Sequence, residues 1–249
     1  MKRLISLALI ASLTIVLSSC ATTPVKPYIT PVKEIYPQTT ISVLRQDTSH
    51  IVAPGETLWR VSKMYNVPIK DILSVNNLKT QTLEKGQHLL VPNAAPIIPV
   101  ISLYPSRKWK YIIIHHSATD GGSSLSFDRY HLRRGWDSIG YHFVINNGSQ
   151  GKDDGQIEVS PRWLKQKNGA HCNAGNMNER SIGICLVGDF NKERVSEKQM
   201  ASLAYLVNIL RKYYKIPKNN IMGHGQVSGA KTECPGKYFP WREFYNKLN

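Results

Sequence analysis

The sequence predicts an α/β protein with a mixed central sheet flanked by helices, preceded by a small βααβ unit. Three apolar segments have the length and composition of strands, at 110–115, 141–146 and 182–187. The first and third are nearly continuous apolar runs, as expected for strands buried on both faces. Residues 196–215 carry apolar side chains at helical spacing and begin with a capping box in which Ser196 precedes Gln199 by three positions. Strands therefore alternate with helices in the second half of the chain.

The small unit is predicted from its turn residues and its apolar spacing. A short strand near His50 meets a turn at Pro54-Gly55, and apolar residues then recur at helical spacing from Leu58. Pro68 starts a second helix, and Gly86 precedes a closing strand. The order strand, helix, helix, strand gives a βααβ unit of about 45 residues.

The N-terminus has the pattern of a secretory signal. Lys2 and Arg3 precede an apolar stretch at 4–17. A helix that spans a membrane needs about 20 residues, so this stretch is predicted to be the apolar part of a signal peptide. It ends in Leu17-Ser18-Ser19-Cys20, which resembles the bacterial lipobox. An ordinary signal peptide with an incidental cysteine is the alternative.

The lipobox resemblance implies that residues 1–20 are removed as a lipoprotein signal peptide and that Cys20 becomes the lipidated first residue. We therefore expect an exported lipoprotein that is anchored to a membrane through Cys20. Ala21 and Thr22 follow the cysteine, where Asp would retain such a protein at the inner membrane. If the host has two membranes, the resemblance implies the periplasmic face of the outer membrane.

The charge balance restricts the partners. The formal net charge is +15, from 32 Lys and Arg against 17 Asp and Glu. Such a chain attracts polyanions, whether nucleic acid, anionic lipid or an acidic wall polymer. Export disfavours nucleic acid, and no nucleic-acid-binding motif is present, so we expect no nucleic-acid partner. We expect a monomer.

Two proline-rich stretches divide the chain. Residues 21–47 are predicted to be an extended tether, and residues 93–107 a linker without the apolar periodicity of a core segment. The small unit then occupies 48–92 and the larger domain 108–249. Because the linker is predicted to be exposed, the two modules are expected to fold separately.

The small unit resembles the lysin motif (LysM). The resemblance rests on Gly55-Glu56-Thr57-Leu58-Trp59, Asn76, Leu78, Gly86-Gln87 and Val91-Pro92, with Glu56 where the family usually has Asp. It implies a βααβ fold that binds glycans containing N-acetylglucosamine in a groove between two loops. It also implies four glycan-binding residues, which are Gly55, Thr57, Leu58 and Asn76. Trp59 and Ile72 are expected in the core.

Three residues of the larger domain are of zinc-ligand type. His115 ends an apolar run, His224 follows Ile221-Met222-Gly223, and Cys234 opens a Cys-Pro-Gly turn. Two imidazoles and one thiolate leave the fourth position of a tetrahedral zinc ion open, as in catalytic rather than structural zinc sites. The tryptophans at 109, 136 and 241 are expected to be core residues.

The larger domain resembles the zinc-dependent N-acetylmuramoyl-L-alanine amidases, a group that includes phage-lysozyme-type amidases and peptidoglycan recognition proteins. The matching segments occur in family order, at Ile114-His115-His116-Ser117-Ala118-Thr119, Gly135-Trp136, Ile139-Gly140-Tyr141-His142-Phe143, Gly169-Ala170-His171, 181–188 and Gly223-His224 to Cys234-Pro235-Gly236. The resemblance implies a Zn²⁺ cofactor and the amidase fold, in which a mixed sheet is flanked by helices.

The resemblance also implies roles for individual residues. It gives His115, His224 and Cys234 as zinc ligands and Tyr141 as the catalytic phenol. His171 and Asn178 are implied as substrate-binding residues. The family places an oxyanion-stabilising residue two positions before the third ligand, where Thr232 stands beside Lys231. The loop that leads to Cys234 is two residues longer than in the phage type, so Thr232 and Lys231 both stay candidates.

Two further points concern cysteines and the proton route. Cys185 stands on the third strand where a branch of the family with an Asp ligand has a glutamate, which favours the phage-like branch. Cys172 and Cys185 are predicted either to form a disulfide in an oxidising compartment or to be buried thiols. No carboxylate in a matched motif presents itself as a general base.

The function expected from these features is zinc-dependent hydrolysis of the amide between N-acetylmuramic acid and L-alanine in peptidoglycan, by an enzyme docked to the wall through its LysM unit. Zinc lowers the pKa of bound water to about 7 and polarises a carbonyl, which suits amide hydrolysis. The alternatives are a non-catalytic peptidoglycan-recognition protein and a lipoprotein that only tethers the membrane to the wall.

Overall fold

The computed structural model describes residues 44–249 and the backbone of residues 28–29. Cys20, the signal segment 1–20 and most of the tether at 21–47 lie outside the described residues. Within the described part of the chain, no helix combines the length and the apolar character needed to cross a membrane.

Residues 46–94 form a βααβ unit, as predicted. Strands β2 (Gln46–Ile51) and β3 (His88–Ala94) pair in antiparallel fashion, and α1 (Leu58–Tyr65) and α2 (Ile69–Val75) connect them. Its core contains Val52, Leu58, Val61, Met64, Ile72, Leu89 and Val91. Ile72 is buried as expected, but Trp59 is 37% exposed, so its prediction as a core residue is wrong. Trp59 follows buried Leu58 on α1 and so lies on a different side of the helix.

The larger domain is built on a five-stranded sheet. Its strands are β5 (Tyr111–His116), β6 (Phe143–Asn147), β7 (Asp154–Val159), β8 (Ser181–Leu186) and β9 (Ile221–Gly223). Their order is β7-β6-β8-β5-β9, and only the β6–β7 pair is antiparallel. The predicted mixed sheet is confirmed, and the three predicted strands agree with β5, β6 and β8 to within two residues. Every residue of β8 is buried, as its apolar run predicts.

Helices cover the sheet. They are α3 (Ser124–Arg133), α4 (Pro161–Leu164), α5 (Met177–Arg180), α6 (Glu197–Tyr214) and α7 (Trp241–Asn246), with short 3₁₀ turns at Ala174–Asn176, Lys218–Asn220 and His224–Gln226. The predicted capping box is present, because the Ser196 hydroxyl accepts from the Gln199 N–H and the Gln199 side chain accepts from the Ser196 N–H. Helix α6 places Met200, Leu203, Val207 and Leu210 in the core of the sheet.

Residues 93–107 are not an exposed linker. Val100 is buried in the core of the small unit, whereas Ile101 and Leu103 are buried in the core of the larger domain. Strand β4 (Ser102–Leu103) also pairs with β1 (Tyr28–Ile29). The prediction that this stretch lacks core residues is therefore wrong. Its apolar side chains are shared between two cores, so they show no single period in the sequence.

The two modules contact each other directly. Lys85 Nζ lies 2.9 Å from a carboxylate oxygen of Asp128 on α3. Lys152 Nζ donates to the backbone carbonyl of Ile51 on β2, at 2.6 Å. A cavity of about 740 Å³ lies between the small unit and α6, and one of about 300 Å³ lies beside α3. Each module keeps a core of its own while the two are docked against each other, and their separate folding stays a prediction.

Candidate metal centre and active site

His115 and His224 meet because their strands are parallel neighbours. His115 is at the end of β5, and His224 directly follows β9. The carboxyl ends of parallel strands lie at the same edge of a sheet, and here the two imidazole centroids are 4.8 Å apart. One ligand atom from each of His115, His224 and Cys234 lies within 4.8 Å of the other two. The structure thus brings together the three residues of zinc-ligand type.

Cys234 is held in place by its own loop. Its Sγ lies 3.6 Å from His115 Nδ1 and accepts from the His116 N–H at 3.4 Å. The Gly225 N–H donates to the Cys234 carbonyl at 2.7 Å. A Cβ on Gly225 would overlap the carbonyl oxygen of Thr232, so only glycine allows the loop to close this tightly. The turn after His224 therefore fixes the position of the thiol.

His171 contacts the ring nitrogen of His115 that faces away from Cys234. Its Nδ1 lies 3.0 Å from His115 Nε2. The His171 ring is enclosed so closely that a Cβ on Gly169 or on Gly183 would overlap it. Since Nε2 of His115 faces His171 and Nδ1 faces Cys234, Nδ1 is the nitrogen available to a metal. His171 therefore orients His115, and its predicted contact with substrate stays a prediction.

Asn178 positions the segment that carries His171. Its side-chain oxygen accepts from the backbone N–H groups of His171, at 2.7 Å, and Cys172, at 2.8 Å. Its backbone carbonyl accepts from the Gly169 N–H at 2.7 Å. The carboxamide oxygen is thus committed to the backbone, and the structure gives Asn178 a positioning role where the resemblance implied a substrate contact.

Tyr141 lies at the edge of the His/His/Cys cluster, directly before β6. Its ring centroid is 5.2 Å from that of His115. Burial raises the pKa of the Tyr141 phenol well above its ordinary value, and the neighbouring thiols of Cys185 and Cys234 raise it further. A phenol already keeps its proton at neutral pH, so Tyr141 is a hydrogen-bond donor beside the cluster.

The backbone before Tyr141 is fixed by residues that sequence reasoning missed. The Ile139 N–H donates to Asp128 Oδ1 at 2.9 Å, and the Gly140 N–H donates to His131 Nδ1 at 3.1 Å. The Gly140 carbonyl accepts from the Ala170 N–H at 3.0 Å. Both Asp128 and His131 belong to α3. Both side chains are buried.

An aromatic group borders the site beyond His131. Trp136 stacks on the His131 imidazole with centroids 4.4 Å apart and is 37% exposed, so its prediction as a core residue is wrong. Trp136 lies in the turn after α3, where its ring covers His131 instead of entering the core. Trp109, by contrast, is buried as expected.

The histidine and cysteine side chains of the cluster are uncharged when no metal ion lies between them. Burial lowers the pKa of the His115 imidazole well below its usual range, and the neighbouring histidines lower it further. Burial raises the pKa of the Cys234 thiol to about 12. At this pKa the thiolate would form only beside a cation. A coordinated divalent metal is such a cation, since it deprotonates a thiol outright. Two neutral imidazoles and one buried thiol within reach of one point thus fit a zinc ion.

Thr232 and Lys231 are both exposed. The Thr232 hydroxyl accepts from the Cys234 N–H at 3.2 Å, so it takes part in fixing the third ligand. Lys231 makes no hydrogen bond or ion pair with any residue that the structure describes. Both positions precede Cys234 on the same loop, and both stay candidates for the oxyanion-stabilising role.

The predicted glycan-binding residues of the small unit differ in their surroundings. Leu58 is 1% exposed and its side chain belongs to the core of the unit, so only its backbone is left for the predicted glycan contact, which stays a prediction. Asn76 exchanges hydrogen bonds with the Leu90 N–H and carbonyl. Thr57 is exposed and its hydroxyl caps α1. Gly55 is exposed, with a φ of 75° that favours glycine.

The three cysteines that the structure describes are free thiols. Cys172, Cys185 and Cys234 are buried and reduced. Cys172 is buried against Ile113, Met177 and Val227. Of the two alternatives for Cys172 and Cys185, the structure shows buried thiols.

Comparison with known families places two models on this chain. The model described as N-acetylmuramoyl-L-alanine amidase matches residues 105–237. The model described as LysM domain matches residues 50–92. The family resemblances that the sequence motifs indicate are therefore confirmed.

Similar proteins include recognition proteins and a phage enzyme. The chain is 32% identical to peptidoglycan-recognition protein SC1a of Drosophila melanogaster over 143 residues, which is 53% of this chain and 70% of that protein. It is 35% identical to peptidoglycan-recognition protein 2 of Holotrichia diomphalia over 141 residues, with 53% and 67% covered. It is 29% identical to an endolysin of Enterobacteria phage K11 over 130 residues, with 49% and 77% covered.

Two solved structures are also similar. N-acetylmuramoyl-L-alanine amidase LysC from Clostridium intestinale URNW is 34% identical, with a TM-score of 0.48, covering 59% of this chain and 92% of that chain. Wild-type PGRP-LB of Drosophila is 27% identical, with a TM-score of 0.44, covering 57% and 83%.

Proposed function

This chain belongs to the N-acetylmuramoyl-L-alanine amidase family and carries a LysM domain, and we propose that it hydrolyses the amide between N-acetylmuramic acid and L-alanine with a zinc ion held by His115, His224 and Cys234. The observation that carries this proposal is the convergence of the three ligand atoms beside Tyr141. The amidase family and the LysM domain both indicate peptidoglycan as the polymer that this chain binds.

The donor set favours zinc over harder cations. Imidazole nitrogen and thiolate sulfur suit zinc, whereas magnesium and calcium prefer oxygen ligands. His171 orients His115, which is the usual way in which a neighbouring group fixes the tautomer of a metal-binding histidine. When bound, zinc would lower the pKa of a water molecule and polarise the scissile carbonyl.

The chain's own residues would then stabilise the transition state and hold Tyr141 in position for this role. Tyr141 would donate its phenolic proton in a hydrogen bond to the oxygen that gains charge as the amide carbon becomes tetrahedral. Preorganised donors of this kind stabilise the transition state without reorganising during the reaction. The hydrogen bonds to the Ile139 and Gly140 N–H groups keep the backbone before Tyr141 in one conformation. Thr232 or Lys231 would supply a second contact to the same oxygen.

The LysM domain would hold the enzyme against its polymeric substrate. Binding of one module raises the local concentration of scissile bonds for the other. The positive charge of the chain adds a long-range attraction to an acidic wall. Since Leu58 is a core residue and Asn76 is committed to Leu90, the exposed Gly55 and Thr57 are the proposed contacts to glycan.

A lipid anchor would place this activity at a membrane surface. We propose that Cys20 is lipidated and that the mature protein is exported and membrane-anchored, on the periplasmic face of the outer membrane in a host with two membranes. Metabolic labelling with a fatty-acid analogue, compared between the wild type and Cys20→Ala, tests this. Equal labelling of both chains would refute it.

The competing function is peptidoglycan recognition or wall tethering without catalysis. Several relatives are named as recognition proteins. The presence of both a cysteine at 234 and a phenol at 141, converged on one site, supports the enzyme.

Digestion of purified sacculi separates the two functions. The enzyme should release stem peptides that begin with L-alanine and leave glycan strands with unsubstituted lactyl groups, both identifiable by mass spectrometry. A binding protein should pellet with sacculi and release nothing above a no-protein control.

A further inference from the structure

Two charged contacts connect the LysM domain to one helix of the amidase domain, and that helix holds the backbone before Tyr141. From this arrangement we propose that the docked LysM domain is a structural part of the amidase active site, with Asp128 as the positioning residue that links Lys85 to the Tyr141 segment. The proposal rests on the proposed function, because it assigns Tyr141 to the chemistry.

The first contact runs through Asp128. One of its carboxylate oxygens lies 2.9 Å from Lys85 Nζ, and the other accepts from the Ile139 N–H, also at 2.9 Å. The Asp128 side chain is 4% exposed, whereas that of Lys85 is 49% exposed. A buried carboxylate is costly without a partner charge. Lys85 therefore supplies the partner charge for the carboxylate that accepts from the Ile139 N–H, two residues before Tyr141.

The second contact reaches the start of the same helix. Lys152 Nζ donates to the Ile51 carbonyl of the LysM domain and lies 3.3 Å from a carboxylate oxygen of Glu158. The other oxygen of Glu158 accepts from the Ser124 N–H, in the first turn of α3, at 2.7 Å. Both side chains of this ion pair are 2% exposed. The negative charge of Glu158 also suits the positive end of the helix dipole.

Helix α3 transmits both contacts to the site. Besides Asp128, it carries His131, which accepts from the Gly140 N–H, and Phe127, whose ring centroid is 6.4 Å from that of Tyr141. The turn at Gly86 lies against the same helix, since a Cβ there would be 3.4 Å from a methyl group of Leu125. One face of α3 thus contacts the LysM domain, and another contacts the segment of Tyr141.

Point variants of the full chain test the proposal. Lys85→Ala removes the ammonium group, and Lys85→Arg keeps a cation that reaches Asp128. Lys70→Ala is the matched control, because Lys70 is an exposed lysine of the same domain that makes no ion pair with any described residue. Asp128→Asn keeps an acceptor for the Ile139 N–H but places an amide group opposite Lys85.

The primary readout is hydrogen exchange of the Ile139 amide, followed by NMR, because it reports the Asp128 hydrogen bond whether or not the protein turns over substrate. We expect this amide to exchange about 3- to 10-fold faster in Lys85→Ala, and to return toward the wild-type rate in Lys85→Arg. Lys70→Ala should leave it unchanged. Equal exchange rates in Lys85→Ala and Lys70→Ala would overturn the proposal.

The second readout is turnover of a soluble disaccharide-peptide. Lys85→Ala should lower kcat by about 3- to 10-fold with little change in KM, since a misplaced Tyr141 weakens the transition state rather than substrate binding. High salt should lower the kcat of the wild type toward that of Lys85→Ala, because Lys85 is half exposed and its contact is screened. A double variant with Asp128→Asn should be no slower than Asp128→Asn alone.

The outcomes separate the two proposals. Faster exchange at Ile139 together with normal kcat would show that the contact does not serve catalysis, and would overturn the inference while the proposed function stands. In the opposite case, Lys85→Ala would exchange faster at Ile139 while the wild-type protein never hydrolyses peptidoglycan. That result would support the coupling of LysM to the Tyr141 segment and refute the proposed function.

Discussion

His171 Nδ1 lies 3.0 Å from His115 Nε2, on the side of the His115 ring opposite to Cys234. This relationship fixes which nitrogen of His115 can face a metal ion. If Nδ1 binds zinc, Nε2 carries the proton and donates it to His171. The proposed zinc site therefore depends on a residue that does not itself converge with the three ligands.

The ligands are tested by metal content. His224→Ala and Cys234→Ala should each lose most bound zinc when the purified chain is measured by elemental analysis, because two remaining ligands bind zinc weakly. Wild-type protein should contain one zinc per chain. Full zinc occupancy in both variants would show that the metal is bound elsewhere.

His171→Ala should weaken zinc binding without abolishing it. Loss of the group that orients a metal-binding histidine typically costs about 10- to 100-fold in affinity. Competition with a chromophoric chelator measures this. The matched control is His50→Ala, since His50 is also a buried histidine but lies in the LysM domain. Equal zinc affinities for the two variants would remove His171 from the site.

Tyr141→Phe should retain zinc and fold but lose about 100- to 1000-fold in kcat, which is the usual cost of removing one donor to a developing oxyanion. Turnover of a soluble disaccharide-peptide by steady-state kinetics gives the comparison. Tyr65→Phe, in the LysM domain, controls for the loss of a phenol. Wild-type kcat in Tyr141→Phe would exclude the phenol from the mechanism.

Thr232→Ala and Lys231→Ala distinguish the two candidates for the second oxyanion contact. The one that contacts the oxyanion should lose at least about tenfold in kcat, whereas the other should change by less than about threefold. Zinc affinity must be measured in parallel, because the Thr232 hydroxyl accepts from the Cys234 N–H and its loss can also loosen the ligand. If both variants keep wild-type kcat, neither residue stabilises the oxyanion.

Glu56 should give the LysM domain a pH-dependent stability. Its carboxylate accepts from His50 Nε2 at 2.7 Å and from the Ala53 N–H at 2.9 Å. Burial raises the pKa of Glu56, but the hydrogen bond and charge of His50, the Ala53 N–H and the charge of Lys152 together outweigh burial and hold it below its ordinary value. A lowered pKa in the folded state means that the stabilisation is present above the unfolded pKa of about 4.3 and is lost as pH falls through the folded value.

Thermal unfolding of Glu56→Gln at several pH values checks this sign. The variant should melt below the wild type at neutral pH, and the difference should shrink below about pH 4. A difference that is the same at every pH would mean that the charge of Glu56 contributes nothing.

The sequence was sufficient to predict three of the five strands of the sheet, β5, β6 and β8, and to single out the three residues of zinc-ligand type that the structure brings together. Buried parallel strands have continuous apolar runs, and His115 ends one of them, so the strand could be predicted together with the residue of zinc-ligand type at its end. Cys234 and Tyr141 could be assigned through family motifs. These features depend on local composition or on motifs that are read in order along the chain.

Contacts that depend on docking could not be predicted. Asp128 and Lys85 are 43 residues apart and lie in different modules, and neither belongs to a matched motif. The prolines of residues 93–107 indicated an exposed linker, yet Val100 and Ile101 contribute to two different cores. Trp136 is expected in the core from the sequence, but its environment is set by the stacking on His131, a contact that no motif indicates.

The most direct test of the central claim is hydrolysis of a soluble disaccharide-peptide by protein that has been stripped of metal and then reloaded with zinc. The account predicts no turnover after stripping, and recovery of two products, an intact disaccharide and a peptide with a free L-alanine amino group, when about one zinc per chain is restored. Zinc-loaded wild-type protein that binds sacculi but never releases this peptide would contradict the account and establish a recognition protein instead.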